Sequence, residues 1–271
     1  MKIMKYKFWL VTVVMPFIMT ACSKDNDTTP ENKPEPETFK EEAPWVPGRA
    51  KLLKTLNYTY RQVIPKNGEY LLENAETRNG KGYVFLDEKY NVVYVVDWPA
   101  GETHGSIVAQ PVYFNLDTRD TIARADVKAG KTDNWHINFN DIYNSTISVN
   151  YGEGFENGLI RTLASPFDEL DQVPPIPEGL VKTTSLAVSM VPNGNSWGEY
   201  EMATHILTAY TNKTNVIYLK DGRRVKFQLQ NLYRTNPGPG TVKDKYEYPA
   251  PFFNFRYFIQ QTPGSTNIKT R

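Results

Sequence analysis

Along most of the chain the apolar positions come in short runs that alternate with polar residues or stop at turn residues, which is the spacing of β-strands rather than helices. Residues 83–86 and 92–96 are β-branched and aromatic, and the polar stretch 87–91 between them predicts a hairpin. Residues 111–116 predict another strand. His136-Ile137-Asn138-Phe139 alternates polar and apolar, as a half-buried strand does. Asp221-Gly222 joins the runs 216–219 and 223–230, and its glycine supplies the positive φ of a tight hairpin turn. Residues 252–260 read as a last strand. One stretch, 161–170, hints at a short helix. There is no internal repeat. Strands at short spacing with turn punctuation predict an all-β fold, with antiparallel sheets in a sandwich or an open barrel and few or no helices.

The one long apolar run, residues 9–19, comes at the start, behind Lys2, Lys5 and Lys7 and before Thr20-Ala21-Cys22. A basic head, an apolar core too short to span a bilayer and small residues at the break predict a secretory signal peptide over residues 1–21. Cys22 directly after the small residues resembles a bacterial lipobox, in which that thiol is acylated and becomes the first residue after cleavage. The expectation is a protein that leaves the cytoplasm and meets its membrane through a lipid anchor only. Residues 22–47 are polar, Pro- and Glu-rich and nearly free of aliphatics, so they predict an extended tether. The acidic start of that tether is similar to the export tags of Bacteroidetes surface lipoproteins, and equally suits plain solvation. A single folded domain is expected over 48–271.

Cleavage before Cys22 would leave 250 of the 271 residues, enough for one large domain. The formal net charge of +1 offers no basic field for nucleic acid. Cys22 is the only cysteine, so the folded part holds no disulfide and no thiolate chemistry. None of the common nucleophile, zinc-protease, phosphate-loop or dinucleotide motifs is present. Asn-Pro-Gly-Pro-Gly at 236–240 lies between strands and reads as a turn. The carboxylates Glu153, Glu156, Asp168, Glu169 and Asp171 form no evident pair, although a glycosidase-type pair can be hidden at long range. The three histidines, His104, His136 and His205, lack the spacing of a zinc site.

Of six methionines, the four at positions 1, 4, 15 and 19 precede the cleavage point, which leaves Met190 and Met202. They stand on strand-like arms around Pro192-Asn193-Gly194-Asn195, a strong turn signal. Two thioethers near one another suit soft Cu(I) or haem iron. Methionines also fill gaps in cores, and Val188 and Met190 on one strand face would fit that role.

Six stretches resemble the HmuY family of Bacteroidetes haem-binding lipoproteins. They are 111–116, 134–139, 168–174, the Trp197-Gly198-Glu199-Tyr200-Glu201-Met202 stretch with Ser196 before it, 216–228 and 253–257. The similarity runs in order over about residues 105–262 and leaves 48–104 as additional N-terminal strands. The resemblance implies one all-β domain, a palm with two protruding loop or hairpin arms that grip haem. It implies no enzymatic activity. It implies a protein at the outer-membrane surface that captures haem b (iron protoporphyrin IX) and passes it to a TonB-dependent receptor.

In the family the second axial ligand follows a Trp-x-Glu-aromatic-x stretch, which places Met202 in the ligand position. The first comes from the preceding arm, here the shorter 179–195, where Met190 is the candidate. His205 is the alternative ligand. Read as one strand over 197–205, Tyr200 and Met202 share a face and His205 points the other way. Trp197, Tyr200 and Tyr143 are candidates to stack on a porphyrin, and His136 reads as a surface imidazole beside Trp135. A relative that has lost haem and grips a glycan or peptide with the same arms stays open as the alternative function.

Overall fold

The computed structural model describes residues 46–66, 69–99, 110–151, 158–191, 194–238, 240–243 and 251–271, with backbone alone over 62–75. Outside the described residues lie the expected signal peptide, Cys22 and the tether up to residue 45, together with His104, Glu153, Glu156 and the turn residues Pro192 and Asn193.

The fold is all-β. The strands in chain order are β1 (Lys51–Lys66), β2 (Glu69–Asp87), β3 (Val92–Pro99), β4 (Val112–Asn115), β5 (Asp120–Ile122), β6 (Ile137–Asn140), β7 (Thr146–Val149), β8 (Leu159–Leu163), β9 (Ser185–Leu186), β10 (Gly198–Glu201), β11 (Ile206–Ala209), β12 (Thr214–Tyr218), β13 (Arg224–Asn231) and β14 (Phe252–Gln260). Among the described residues one short helix, α1 (Arg124–Lys128), interrupts them, and every strand-to-strand ladder is antiparallel. A seven-stranded sheet runs β1-β2-β3-β14-β13-β12-β8, a five-stranded sheet runs β5-β4-β6-β7-β9, and β10-β11 form a separate hairpin.

The two larger sheets pack face to face, and alternation along the strands decides which side chains meet. In β14, Phe253, Phe255, Tyr257 and Ile259 point into the main core, as do Val225, Phe227 and Leu229 of β13. From the five-stranded sheet come Phe114, Ile137, Phe139 and Ile147. Phe139 stacks on Phe253 at 3.8 Å between centroids, and Trp98 has Phe114, Phe139, Phe253 and Phe255 around it at 5.2 to 6.3 Å. Each such ring contributes about 1.5–3 kcal/mol through burial alone.

The opposite face of β13 and β14 is covered too, which explains a fully buried lysine. The Lys226 ammonium donates to Leu170 O, Ile268 O and Thr270 Oγ1, and lies 4.7 Å from the centre of the Phe167 ring. Burial pulls its pKa down to about 8. Asp97 is a second ionisable side chain buried in the sheet. It sits with φ +53° where the β3–β14 register slips, its N–H donating to Asn254 Oδ1. Its carboxylate accepts from Thr235 N, and burial raises its pKa to about 6.

The hairpins follow the expected turn chemistry. β2 and β3 pair from Tyr83↔Val96 to Asp87↔Val92. β12 and β13 close through Gly222 at φ +81°, a conformation that favours glycine. Residues 48–104, expected only as extra strands, contain a 14-pair ribbon of β1 on β2 that continues past the end of the β2–β3 ladder. The predicted helix at 161–170 is not formed. Residues 159–163 pair with β12, and the chain then turns at Pro166, whose carbonyl accepts from Glu169 N and Leu170 N.

Candidate functional site

The β10–β11 hairpin carries the Trp-Gly-Glu-Tyr-Glu-Met stretch, and each residue in it has a separate task. Trp197 is 2% exposed and its Nε1 donates to Ser145 O. The indole anchors the hairpin in the main core and is thereby withdrawn from the porphyrin-stacking candidates. Gly198 lets β10 approach β11, since a Cβ there would lie 2.7 Å from Thr208 O. Glu199 accepts from the Tyr210 hydroxyl. Tyr233, itself buried, accepts from Leu207 N and ties β11 to the end of β13.

β10 stops at Glu201, and residues 202–205 form the hairpin loop. His205 N donates to Glu201 O, and the Thr204 hydroxyl donates to Glu201 Oε2. His205 closes the loop in the left-handed region at φ +59°. This overturns the reading of 197–205 as one strand. The chain reverses, so His205 returns toward Tyr200 instead of pointing away, and its Nδ1 lies 2.5 Å from the Tyr200 hydroxyl.

The arm holding Met190 runs beside this hairpin. Ser189 bridges to Glu199 in parallel sense: Ser189 N donates to Gly198 O, and Tyr200 N donates to Ser189 O. Beyond the bridge the chain bends sharply, with Ser189 Oγ accepting from Val191 N and donating to Val191 O. The Lys213 ammonium, packed over the Tyr210 ring, fixes this arm by donating to Gly194 O.

Met190 is therefore one residue past Ser189 and Met202 three residues past Glu199, on neighbouring segments running the same way. Both are exposed, Met190 by 70% and Met202 by 60%, with Val191 beside them at 67%. Neither fills a core gap. Tyr200, half-buried, lies on β10 two residues before Met202 and beside the arm that carries Met190. The donor set of two exposed thioethers, an aliphatic neighbour and a tyrosine ring fits a flat, apolar, soft-liganded group. Tyr143 lies apart from the hairpin in sequence, half-buried in a turn at φ +55°.

His136 is not a surface imidazole. It is half-buried, its Nδ1 accepts from Leu116 N, its Nε2 lies 3.7 Å from Asp117, and burial lowers its pKa. It lines a polar cleft of about 170 Å³ together with Trp135, Asn150 and Lys220. That cleft was not visible in the sequence, because its walls are brought together from three separate loops. Of the carboxylates considered for a hydrolytic pair, Asp168 binds Arg256 and Asp171 binds Arg271. The Tyr200–His205 contact was also missed. Its only sequence signal is a tyrosine and a histidine five residues apart, which a hairpin loop brings face to face.

No family model matches the chain, and no curated protein matches it.

Proposed function

We propose that the chain is a lipid-anchored haem-capture protein, held at the outer-membrane surface through Cys22, that passes haem to a TonB-dependent receptor. The observation that carries this reading is the exposure of both methionines on adjacent segments at one corner of the fold, where a core role would have buried them. The resemblance of the Trp197–Met202 stretch to the HmuY ligand segment supports it. In this reading Met190 and Met202 hold the iron of haem b, Val191 and the Tyr200 ring lie against the porphyrin, and the bound group supplies cargo iron rather than chemistry. The rest of the site binds and orients. The Ser189–Glu199 bridge sets the spacing of the two arms, and Trp197 roots the hairpin.

The test is a haemin titration of the full chain, oxidised and then reduced with dithionite. A Soret band should appear, binding should tighten on reduction because thioethers favour iron(II), and Met202→Ala should lose the reduced complex. Absence of any Soret shift in both states would overturn the reading. The alternative, in which haem has been lost and the same arms take a glycan or peptide, is favoured by the burial of Trp197, which removes one aromatic wall from a porphyrin.

A further inference from the structure

We propose that Tyr200 is a ligand for ferric haem iron and that His205 accepts the proton its hydroxyl must lose; this deepens, and rests on, the haem reading above. The geometry is specific. The Tyr200 hydroxyl and His205 Nδ1 are 2.5 Å apart, and the loop that brings them together closes with His205 at φ +59° and its N–H donating to Glu201 O. The tyrosine is held on both sides of its backbone, by Ser189 O on one edge and by the β10–β11 pairing Tyr200↔Leu207 on the other. The arm that carries Met190 therefore lies on one side of Tyr200 and β11 on the other, and Met202 follows two residues on, in the loop.

The chemistry explains why a thioether site would keep a phenol. Thioethers are soft donors matched to iron(II), whereas a phenolate is a hard anionic donor of the kind that holds ferric haem in catalase. Haem outside the reducing cytoplasm is ferric, and two methionines alone match it poorly. A phenol must lose its proton to ligate, and an imidazole nitrogen at hydrogen-bond distance is the acceptor that step needs.

The step balances without an external reagent. The Tyr200 O–H bond breaks, the proton goes to His205 Nδ1, and the lone pair left on the phenolate oxygen forms the iron–oxygen bond. The iron stays ferric, and the phenolate and imidazolium charges cancel. When dithionite supplies one electron to the iron, the proton returns to the phenolate and a thioether takes the vacated position. The nearby aromatic residues are committed elsewhere: the Tyr233 hydroxyl accepts from Leu207 N, the Tyr210 hydroxyl donates to Glu199, and Trp197 is in the core.

The experiment compares wild type, Tyr200→Phe, His205→Gln and Met202→Ala, all as the full chain, titrated with haemin before and after dithionite. Resonance Raman spectroscopy reads the iron–phenolate vibration, and a thermal melt shows that each variant is folded. Tyr200→Phe should weaken ferric binding by about tenfold or more and abolish the phenolate vibration, with a much smaller loss of ferrous affinity. His205→Gln should weaken the ferric complex by a smaller factor, and Met202→Ala should show the reverse selectivity, losing the ferrous complex. A Tyr200→Phe spectrum and ferric affinity superimposable on wild type would overturn the proposal while leaving the haem reading intact. So would loss of ferric binding in His205→Gln alone, which would make His205 the ligand. Wild type that binds haemin in neither state would overturn both.

Discussion

The inter-sheet core around Trp98 and the hairpin corner around Tyr200 use large apolar and aromatic side chains to opposite ends. In the core, Trp98, Phe139, Phe253 and Phe255 are wholly buried and surrounded by one another. At the corner, Met190, Val191 and Met202 lie in the open, on segments fixed by backbone hydrogen bonds and by one buried indole. A side chain's type says little by itself. What differs is whether its strand is covered on that face, and the corner spends almost none of the fold's stability on its methionines.

Stability measurements can break that contrast. Trp98→Ala should cost about 3–5 kcal/mol, seen as a lower midpoint in urea denaturation, because its rings fill the space between both sheets. Asp97→Asn should have the next largest effect and the opposite sign. Its carboxyl, raised from 3.8 to about 6 by burial, holds its proton in the folded state where the unfolded chain has lost it. The native state thus binds more protons from about pH 4 to 6, and stability falls as pH rises through that window. At pH 7 the ionised group costs about 2–3 kcal/mol, which the amide should restore, together with a flat profile below pH 6. Asparagine also tolerates the left-handed backbone at this position.

A smaller effect belongs to Lys226. Its pKa is lowered to about 8, so between about pH 8 and the unfolded value of 10.5 the unfolded chain binds more protons and stability rises with pH. Lys226→Met should lose that rise relative to wild type in denaturation at pH 8 and pH 10. Met202→Ala sharpens the comparison from the other side: its unfolding free energy should stay within about 0.5 kcal/mol of wild type. A loss of several kcal/mol there would place Met202 in a packed region after all.

Much of the sheet was legible because its strands are bounded by turn residues and carry one consistent pattern; residues 252–260 coincide with β14. The failures have particular causes. At 161–170 the spacing of Leu163, Phe167 and Leu170 imitates a helix, but cross-strand pairing with β12 takes its first three residues and Pro166 turns the rest. His136 alternates like a surface residue, yet Leu116 N and the neighbouring loops close over it. At the corner, the loop Met202-Ala203-Thr204-His205 contains neither Gly nor Pro, so the sequence offers no turn there and a continuous strand is the natural reading. The left-handed φ is supplied by a histidine, and the contact with Tyr200 appears only once the chain has reversed.

The position of β14 has a kinetic consequence. It follows every other strand in the chain but lies at the middle of the seven-stranded sheet, paired with β3 on one side and β13 on the other. Until residues 252–260 arrive, β3 and β13 each present an open edge and the aromatic core lacks Phe253 and Phe255. Folding by this route is dominated by contacts between distant parts of the sequence, so it should be slow and should wait for nearly the whole chain. A polypeptide that stays open until its last strand is delivered remains threadable through a narrow translocation channel.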